Sequence, residues 1–196
     1  MSGTGKYAEA AGSLADLVRA VVLGSAVLAP LAQPAEAAVR FGLMFLVLVA
    51  ARQSGIPGPF DLAFGVALTL ATWASVAGWY AQYAWSDWVV HAVTGGSVAA
   101  VLYSGLAKLG CLPPLRDPAL ARPLVAITLI VAMLAALSGV LWEVYEWSAV
   151  RLGARMIVGY GDTVADLAMD VLGGVCAGAA MVAWQRDGRK TRPHEP

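Results

Sequence analysis

Charged residues are scarce in this chain. Aspartate, glutamate, lysine and arginine together make up 13% of its 196 residues, whereas hydrophobic residues make up 59%. An average soluble domain has about 25% charged residues, so this composition excludes an ordinary soluble fold and places the chain in a lipid bilayer. A transmembrane helix needs about 20 mainly apolar residues. The chain therefore has room for about six spans with short loops, and none for a folded domain outside the membrane.

Cysteine and histidine are also rare. The two cysteines, Cys111 and Cys176, are too few for a disulfide framework, and we expect both to be free thiols. One of the two histidines, His91, lies in an apolar segment, which excludes a haem held by paired membrane histidines. The sequence has no P-loop, no dinucleotide-binding glycine fingerprint and no Ser-His-Asp arrangement. Basic residues gather near the C-terminus, where they fit anchoring to anionic lipid better than nucleic-acid binding.

Apolar runs of membrane length predict an all-α polytopic membrane bundle of about six transmembrane helices. The expected spans are 17–33, 36–52, 60–80, 86–108, 121–149 and 162–184. Proline and glycine interrupt helices most strongly, and they separate these runs. Residues 1–184 are expected to form a single transmembrane bundle, and residues 185–196 a disordered basic cytoplasmic tail.

The distribution of basic residues predicts the orientation. Six spans place both termini on one side, together with the connections after spans two and four. That side carries most of the basic residues, which are Lys6, Arg19, Arg52, Lys108, Arg116, Arg122, Arg186, Arg189, Lys190 and Arg192, whereas the other side carries Arg40, Arg151 and Arg155. Because lysine and arginine are enriched in cytoplasmic loops, we expect both termini in the cytoplasm. Tryptophan and tyrosine cluster at the opposite interface, as in an aromatic belt.

Acidic residues occur inside three of the expected spans, where they are costly and normally face a bundle interior or a water-filled cavity. The fourth span opens with Asp87 and His91, an i,i+4 pair on one helical face. The fifth ends with Glu143 and Glu146, an i,i+3 pair. The last span opens with three acids on one stripe, namely Asp162, Asp166 and Asp170.

These seven side chains should converge, because the three span ends all lie on the non-cytoplasmic side. Six acids and one imidazole cannot all be charged at close range without a counter-charge. Either a divalent cation lies among them or several carry protons. Mg²⁺, Mn²⁺, Ca²⁺ and Zn²⁺ all suit oxygen-rich ligation with one imidazole. The expected metal ligands are Asp87, His91, Asp162, Asp166 and Asp170, and Glu143 and Glu146 are the candidate general bases. Asp162 is also a candidate N-cap.

Each motif also has a structural interpretation. An Asp-x-x-x-His pair is often only hydrogen-bonded, and a Glu-x-x-Glu pair near an interface can simply be solvated. Three aligned acids on an otherwise apolar helix favour a function. Asp16, Arg19 and Asp61, near the cytoplasmic ends of spans one and three, are expected to pair or to snorkel. Several glycines are expected to allow close helix packing, and these are Gly95, Gly96, Gly139, Gly173, Gly174 and Gly178.

The layout of these motifs resembles the YjdF family of uncharacterised bacterial inner-membrane proteins and, more distantly, the VanZ-like teicoplanin-resistance family. The resemblance covers residues 85–180: the Asp-x-x-x-His pair, a Glu-x-x-Glu-Trp segment ending at Trp147, and Gly-Asp-Thr-x-x-Asp-x-x-x-Asp-x-x-Gly-Gly over residues 161–174. VanZ-like proteins usually carry asparagine at the position of Asp170. The resemblance implies a bacterial plasma (inner) membrane location and a shared site, and it implies no substrate.

Three functions remain open at this point. The first is a membrane enzyme or binding protein whose metal acts on phosphate-bearing lipids or envelope precursors, because such metals recruit phosphate oxygens and activate water. The second is a non-catalytic accessory subunit of a larger membrane complex, with the cluster as a structural knot. The third is an ion or proton transporter, which fits less well because the acids gather at one end rather than at the midplane. The expected partners are membrane lipids and possible complex subunits.

Overall fold

The computed structural model of the protein describes residues 3–34, 36–115, 117, 120–153 and 158–190. All regular secondary structure in these ranges is helical. The helices are α1 (Gly3–Leu28), α2 (Glu36–Arg52), α3 (Gly58–Val76), α4 (Trp79–Gln82), α5 (Ala84–Lys108), α6 (Pro123–Arg151) and α7 (Tyr160–Lys190). A short 3-10 turn, Ala29–Leu31, follows α1.

Five of these helices, α1, α3, α5, α6 and α7, are long and apolar enough to cross a membrane. The prediction of a helical membrane bundle is therefore confirmed. The second expected span, 36–52, coincides with α2, whose 17 residues correspond to about 26 Å of helix, near the lower limit for crossing the hydrocarbon core. Side chains that face outward from the long helices are largely apolar, including Leu46, Leu129, Leu137 and Leu172.

Some helix boundaries differ from the expected ones. The first expected span begins at residue 17, whereas α1 begins at Gly3. The third expected span, 60–80, is broken, because α3 ends at Val76 and Gly78 adopts a left-handed backbone conformation with φ 72°. Glycine adopts this conformation without steric cost. The break lets the short helix α4 turn the chain into α5 at the end of the bundle where the acidic motifs lie.

The helices form two groups of three, each with its own apolar core. In the first group, α1, α2 and α3 bury Val22, Phe41, Leu48 and Phe64. In the second group, the core lies among α5, α6 and α7 and contains Ala99, Ala100, Tyr103, Ile127, Val131, Met181 and Val182. Helix α7 packs extensively against both α5 and α6, and contacts between α3 and α5 join the groups.

Glycines on α7 allow this close packing, as the sequence predicts. A side chain at Gly173 would overlap the backbone of Ala92 on α5, and one at Gly174 would overlap Ala132 and Ala135 on α6. One turn later, Gly178 lies against Thr128 on α6. Two faces of α7 therefore meet their partners almost backbone to backbone, which fixes the register of the three helices.

A network of ion pairs joins the first three helices near the end of the bundle opposite the acidic motifs. The buried Asp61 carboxylate on α3 accepts hydrogen bonds from Arg19 on α1 at 2.6 Å and from Arg52 on α2 at 3.1 Å. Asp16 pairs with the same two arginines at 3.2 and 3.5 Å. Arg19 also donates to the Leu48 carbonyl oxygen. The expected pairing of these residues is confirmed, and it neutralises two positive and two negative charges.

The last helix is longer than expected. Helix α7 continues to Lys190, six residues past the expected end of the bundle at residue 184, so the backbone of the first half of the expected disordered tail is helical. The remainder of that tail, residues 191–196, lies outside the described residues. The assignment of residues 1–184 to one domain stays a prediction.

Candidate functional site

The start of α5, the end of α6 and the start of α7 meet at one end of the second helix group. The helical spacings place each set of acids on the face of its helix that looks toward the other two helices. Contacts between α5 and α7 bring Asp87 and His91 beside Asp166 and Asp170, and a contact between α6 and α7 joins Glu143 to Thr163. The convergence expected from the topology is therefore present in the structure.

His91 lies at the centre of the cluster and is 7% exposed. Its Nε2 atom lies 3.8 Å from Oδ1 of Asp87 and 3.9 Å from Oδ2 of Asp166. Its Nδ1 atom lies 3.4 Å from Oδ2 of Asp170. One imidazole is thus surrounded by three carboxylates, two facing Nε2 and one facing Nδ1.

Asp166 is the most deeply buried acid of the cluster, with 1% of its surface exposed. Neither of its carboxylate oxygens has a hydrogen-bond partner among the described residues. The charged groups that act on it are His91, Asp87, Asp162 and Glu143. A buried carboxylate without donors is costly, so Asp166 calls for a cation or a proton. The potential ligand atoms of Asp87, His91 and Asp166 all lie within 4.8 Å of one another.

The two glutamates on α6 occupy different environments. Glu143 is buried, and its Oε2 atom accepts a hydrogen bond of 2.5 Å from the Thr163 hydroxyl, whereas Oε1 has no partner among the described residues. Glu146, one turn later, is half-buried, lies near Glu143, His91 and Asp87, and accepts a hydrogen bond from Trp142. Both expected general bases are therefore part of the cluster. Thr163, which the sequence analysis did not single out, fixes the position of Glu143.

Asp162 and Asp170, the outer members of the α7 stripe, differ from Asp166 in position. Because α7 begins at Tyr160, Asp162 lies inside the first turn and is not the N-cap, which corrects that expectation. One Asp162 oxygen is buried with no partner among the residues that the structure describes, and the charge of Asp162 acts on Asp87 and Asp166. Asp170 lies deeper, beside Nδ1 of His91. The compact group of three ligand atoms includes neither residue.

Tyr80, on the short helix α4, is a neighbour of the cluster that sequence reasoning assigns only to the aromatic belt. Its hydroxyl donates a hydrogen bond of 3.3 Å to the carbonyl oxygen of Ala71. Burial raises the pKa of the Tyr80 hydroxyl, and the negative charges of Asp87 and Glu146 raise it further. The phenol therefore stays protonated in the physiological range. The sequence feature that could have predicted the position of Tyr80 beside the cluster is Gly78, because this glycine ends the third span two residues before Tyr80.

Exposed aromatic side chains surround this end of the bundle. They are Trp79, Tyr83, Trp85, Trp88, Trp142, Tyr145, Trp147 and Tyr160. The guanidinium of Arg151, near the end of α6, stacks on the Trp147 ring at 4.5 Å. Tryptophan and tyrosine favour the headgroup level of a bilayer, and these residues lie at the same end of the bundle as the acidic cluster.

Comparison with known proteins identifies a family for the chain. No curated protein and no solved structure matches it significantly. The family described as "Predicted membrane protein (DUF2238)" matches residues 13–187, a range that includes α2 to α6, most of α1 and α7, and the whole acidic cluster. The chain therefore belongs to this family of membrane proteins.

Proposed function

We propose that this membrane protein binds one divalent cation between Asp87, His91 and Asp166, and that the cation in turn binds a phosphate-bearing lipid headgroup or cell-envelope precursor. The observation that carries the proposal is the buried Asp166 carboxylate, which has no hydrogen-bond donor in the part of the chain that the structure describes and lies beside an imidazole and a second carboxylate. Burial makes an unpaired charge costly, and a cation among these three groups removes that cost.

The distances fit a cation after a small adjustment. Nε2 of His91 lies 3.8 and 3.9 Å from the nearest oxygens of Asp87 and Asp166. A tetrahedral zinc site with bonds of about 2.1 Å places neighbouring ligands about 3.4 Å apart. Closing the difference requires only a small side-chain rotation. Imidazole with two carboxylates suits Zn²⁺ and Mn²⁺, and Mg²⁺ and Ca²⁺ remain compatible because further oxygens lie close by.

A phosphate ligand follows from the charges around the site. Among the described residues, the salt bridges of the cluster involve only His91, and no lysine or arginine pairs with its acids. An anion would be repelled by these acids unless a cation recruited it. Three protein ligands leave coordination positions open, and the aromatic belt at this end of the bundle favours a site at headgroup depth. A phosphate-bearing headgroup meets all of these conditions.

Glu143 is the residue best placed to act as a general base on a metal-bound water. Thr163 holds one of its carboxylate oxygens, and the other has no partner among the described residues. Glu146 is the second candidate, because it is half-buried and lies near Glu143, His91 and Asp87. Metal ions lower the pKa of bound water, so hydrolysis of a phosphate ester is the reaction that this arrangement favours.

Elemental analysis of the purified protein tests the cation. After equilibration with Zn²⁺, Mn²⁺, Mg²⁺ or Ca²⁺, we expect one bound ion per chain in the wild type and a loss of that ion in Asp166→Asn. The exposed variant Glu36→Gln serves as the control and should bind normally. Chelation should lower the melting temperature of the wild type, because binding stabilises the folded state by mass action. A metal-free wild type, together with a neutral or stabilising Asp166→Asn, contradicts the proposal.

Short-chain phosphatidic acid and inorganic phosphate test the anion and its source. Both are added to metal-loaded protein in an uncharged detergent, and binding is followed by the shift in melting temperature. Stabilisation by phosphatidic acid alone supports a lipid headgroup, whereas stabilisation by both supports a phosphate site of broader specificity. Either effect should disappear in Asp166→Asn. No stabilisation by either probe contradicts phosphate binding and leaves cation binding to the elemental analysis.

The orientation that accompanies this proposal places the cluster at the outer face of a bacterial plasma membrane, with both termini in the cytoplasm. The bias of lysine and arginine toward the opposite end supports it, as does the YjdF-like arrangement of the motifs. Arg19 and Arg52 are paired with aspartates, so the bias depends mainly on the other basic residues of that end. We expect the exposed native Cys111 to be labelled in cells only after permeabilisation, and Leu152→Cys in a cysteine-free background from outside. The reverse pattern refutes this orientation.

A structural role in a larger membrane complex is the second candidate. Asp170 is enclosed and Glu143 is tied to Thr163, which is the arrangement expected of a polar knot that holds three helices together. This candidate predicts that phosphate probes have no effect on the melting temperature even in the presence of metal and that the protein copurifies with fixed partners. An ion or proton pathway is less favoured, because the buried charges at the opposite end lie in the other helix group and are mutually paired.

A further inference from the structure

The two ring nitrogens of His91 face different carboxylates. Nδ1 lies 3.4 Å from Oδ2 of Asp170, whereas Nε2 faces Asp87 and Asp166. An ionised carboxylate can only accept a hydrogen bond, so the contact with Asp170 requires a proton on Nδ1. In the neutral imidazole, Nε2 then carries the lone pair, and that lone pair points to the same side as the Asp166 carboxylate.

We infer that Asp170 is a positioning residue rather than a metal ligand. It holds the His91 ring in the Nδ1–H tautomer and directs Nε2 toward the cation that Asp87 and Asp166 share. This inference depends on the proposed cation site, and it revises the expectation that Asp170 is itself a ligand. Carboxylates bonded to the second nitrogen of a ligating histidine fix its tautomer and raise its basicity. The effect of Asp170 on the cation is therefore transmitted through His91.

Two glycines determine where the Asp170 carboxylate lies. Gly95 on α5 and Gly139 on α6 face it from opposite sides, and a methyl group at either position would overlap its carboxylate oxygens. Asp170 itself is 3% exposed. The carboxylate therefore occupies a slot bounded by two helix backbones, and it cannot swing toward Nε2 without leaving that slot. Asp166, one turn earlier, has no such restriction, because its oxygens make no hydrogen bond to any residue that the structure describes.

Gly139 provides a way to displace Asp170 without changing any group of the metal site. A methyl group at Gly139 would meet the ends of the Asp170 and Leu167 side chains, whereas one at Gly95 would also meet the Asp170 backbone at 3.0 Å. Gly139→Ala should therefore move the carboxylate while the helices stay packed. Gly42 on α2, with nothing within 4 Å of an added methyl group, offers a matched control in Gly42→Ala.

Nitrogen-15 NMR of the imidazole tests the tautomer directly. His194 is the second histidine of the chain, so a His194→Gln background leaves His91 as the single source of signal. In this background we expect protonated Nδ1 and unprotonated Nε2 in the zinc-loaded protein, with Nε2 bound to zinc. At a pH at which the zinc-free ring is neutral, Asp170→Asn and Gly139→Ala should yield a mixture of tautomers in the absence of zinc, and Gly42→Ala should not. An unprotonated Nδ1 in the starting protein overturns the inference.

Zinc affinity separates a positioning role from a ligand role. Changes to groups that orient metal ligands typically weaken affinity about 10–100-fold. We therefore expect Asp170→Asn and Gly139→Ala to retain one zinc per chain with an affinity lowered in that range, and Asp166→Asn to lose the site. Asp170→Glu keeps the carboxylate but is one methylene too long for the slot, so it should not restore affinity. Equal losses in Asp170→Asn and Asp166→Asn would make Asp170 a ligand and refute the inference.

The two measurements also distinguish failure of this inference from failure of the proposed function. If the wild type binds no zinc, cation binding fails. The metal-free tautomer and its response to Gly139→Ala still report whether Asp170 positions His91. If zinc binds but the tautomer does not respond to Asp170→Asn or Gly139→Ala, the positioning role fails and the cation site stands. A ring protonated on both nitrogens in the presence of zinc overturns both.

Discussion

Replacement of Asp61 by asparagine tests how strongly the ion-pair network holds α1, α2 and α3 together. Asparagine keeps the shape of the side chain and removes the charge that accepts from Arg19 at 2.6 Å and from Arg52 at 3.1 Å. The substitution leaves the Arg19 guanidinium as a buried positive charge without its buried carboxylate partner, because Arg19 is 8% exposed. It keeps the Leu48 carbonyl oxygen and the partly exposed Asp16 as acceptors.

The expected loss follows from this geometry. Breaking a buried ion pair by removing one partner costs about 3–5 kcal/mol. Arg52 is nearly half exposed and can be solvated, and Arg19 retains Asp16, so we expect a loss near the lower limit, about 3 kcal/mol. For a chain of this size, that loss lowers the melting temperature by about 6–12 °C.

Thermal unfolding in detergent, followed by circular dichroism, measures the effect. Glu36→Gln is the matched control, since it breaks the exposed pair between Glu36 and Arg40, and exposed pairs contribute at most about 1 kcal/mol. The zinc content of Asp61→Asn should equal that of the wild type, because the network and the acidic cluster lie in different helix groups. If Asp61→Asn melts at the same temperature as Glu36→Gln, the network does not stabilise the first helix group and the reasoning fails.

Three further perturbations have expected outcomes in the same thermal assay. Gly173→Ala should destabilise the protein, because the added methyl group overlaps the Ala92 backbone, whereas Gly42→Ala meets open space and should not. Thr163→Val should destabilise by about 1–3 kcal/mol, since it leaves the buried Glu143 carboxylate without its donor. The pKa of Tyr80 is raised in the folded state above the unfolded value of 10.0. The contribution of Tyr80 to the stability of the folded protein is therefore fully present below pH 10.0 and falls as the pH rises above it. Above that pH the unfolded chain loses a proton that the folded chain keeps. The destabilisation in Tyr80→Phe should therefore be largest near neutral pH and smaller at about pH 11.

Much of the cluster could be predicted from the sequence, because two simple rules suffice. Helical spacing places Asp162, Asp166 and Asp170 on one stripe, and alternation of spans places the ends of three helices on one side. These two rules do not determine which acid faces which nitrogen of His91. They depend on the rotation of α7 about its own axis, which the backbone contacts of Gly173 and Gly174 determine.

The features that the sequence did not reveal arise from long-range packing. Asp170 and Asp166 are both aspartates one turn apart on the same stripe, yet one meets Nδ1 and the other faces Nε2. That difference depends on glycines that belong to two other helices. Tyr80 reaches the cluster because α3 ends early at Val76 and α4 folds back. Neither the spacing of motifs nor apolar periodicity contains this information.

The glycine contacts of α7 also have a consequence for how the chain assembles in the membrane. An acid makes a lone transmembrane helix harder to insert, at a cost that reaches about 2.5–3.5 kcal/mol at the helix centre and is smaller nearer its end, and α7 carries Asp166 and Asp170 within its span. Both are buried only because α5 and α6 cover them. Although α7 is apolar enough to cross a membrane, its acids become favourable there only against a surface that earlier parts of the chain provide. The acids that form the site therefore make the stability of the last helix in the bilayer depend on the helices that precede it.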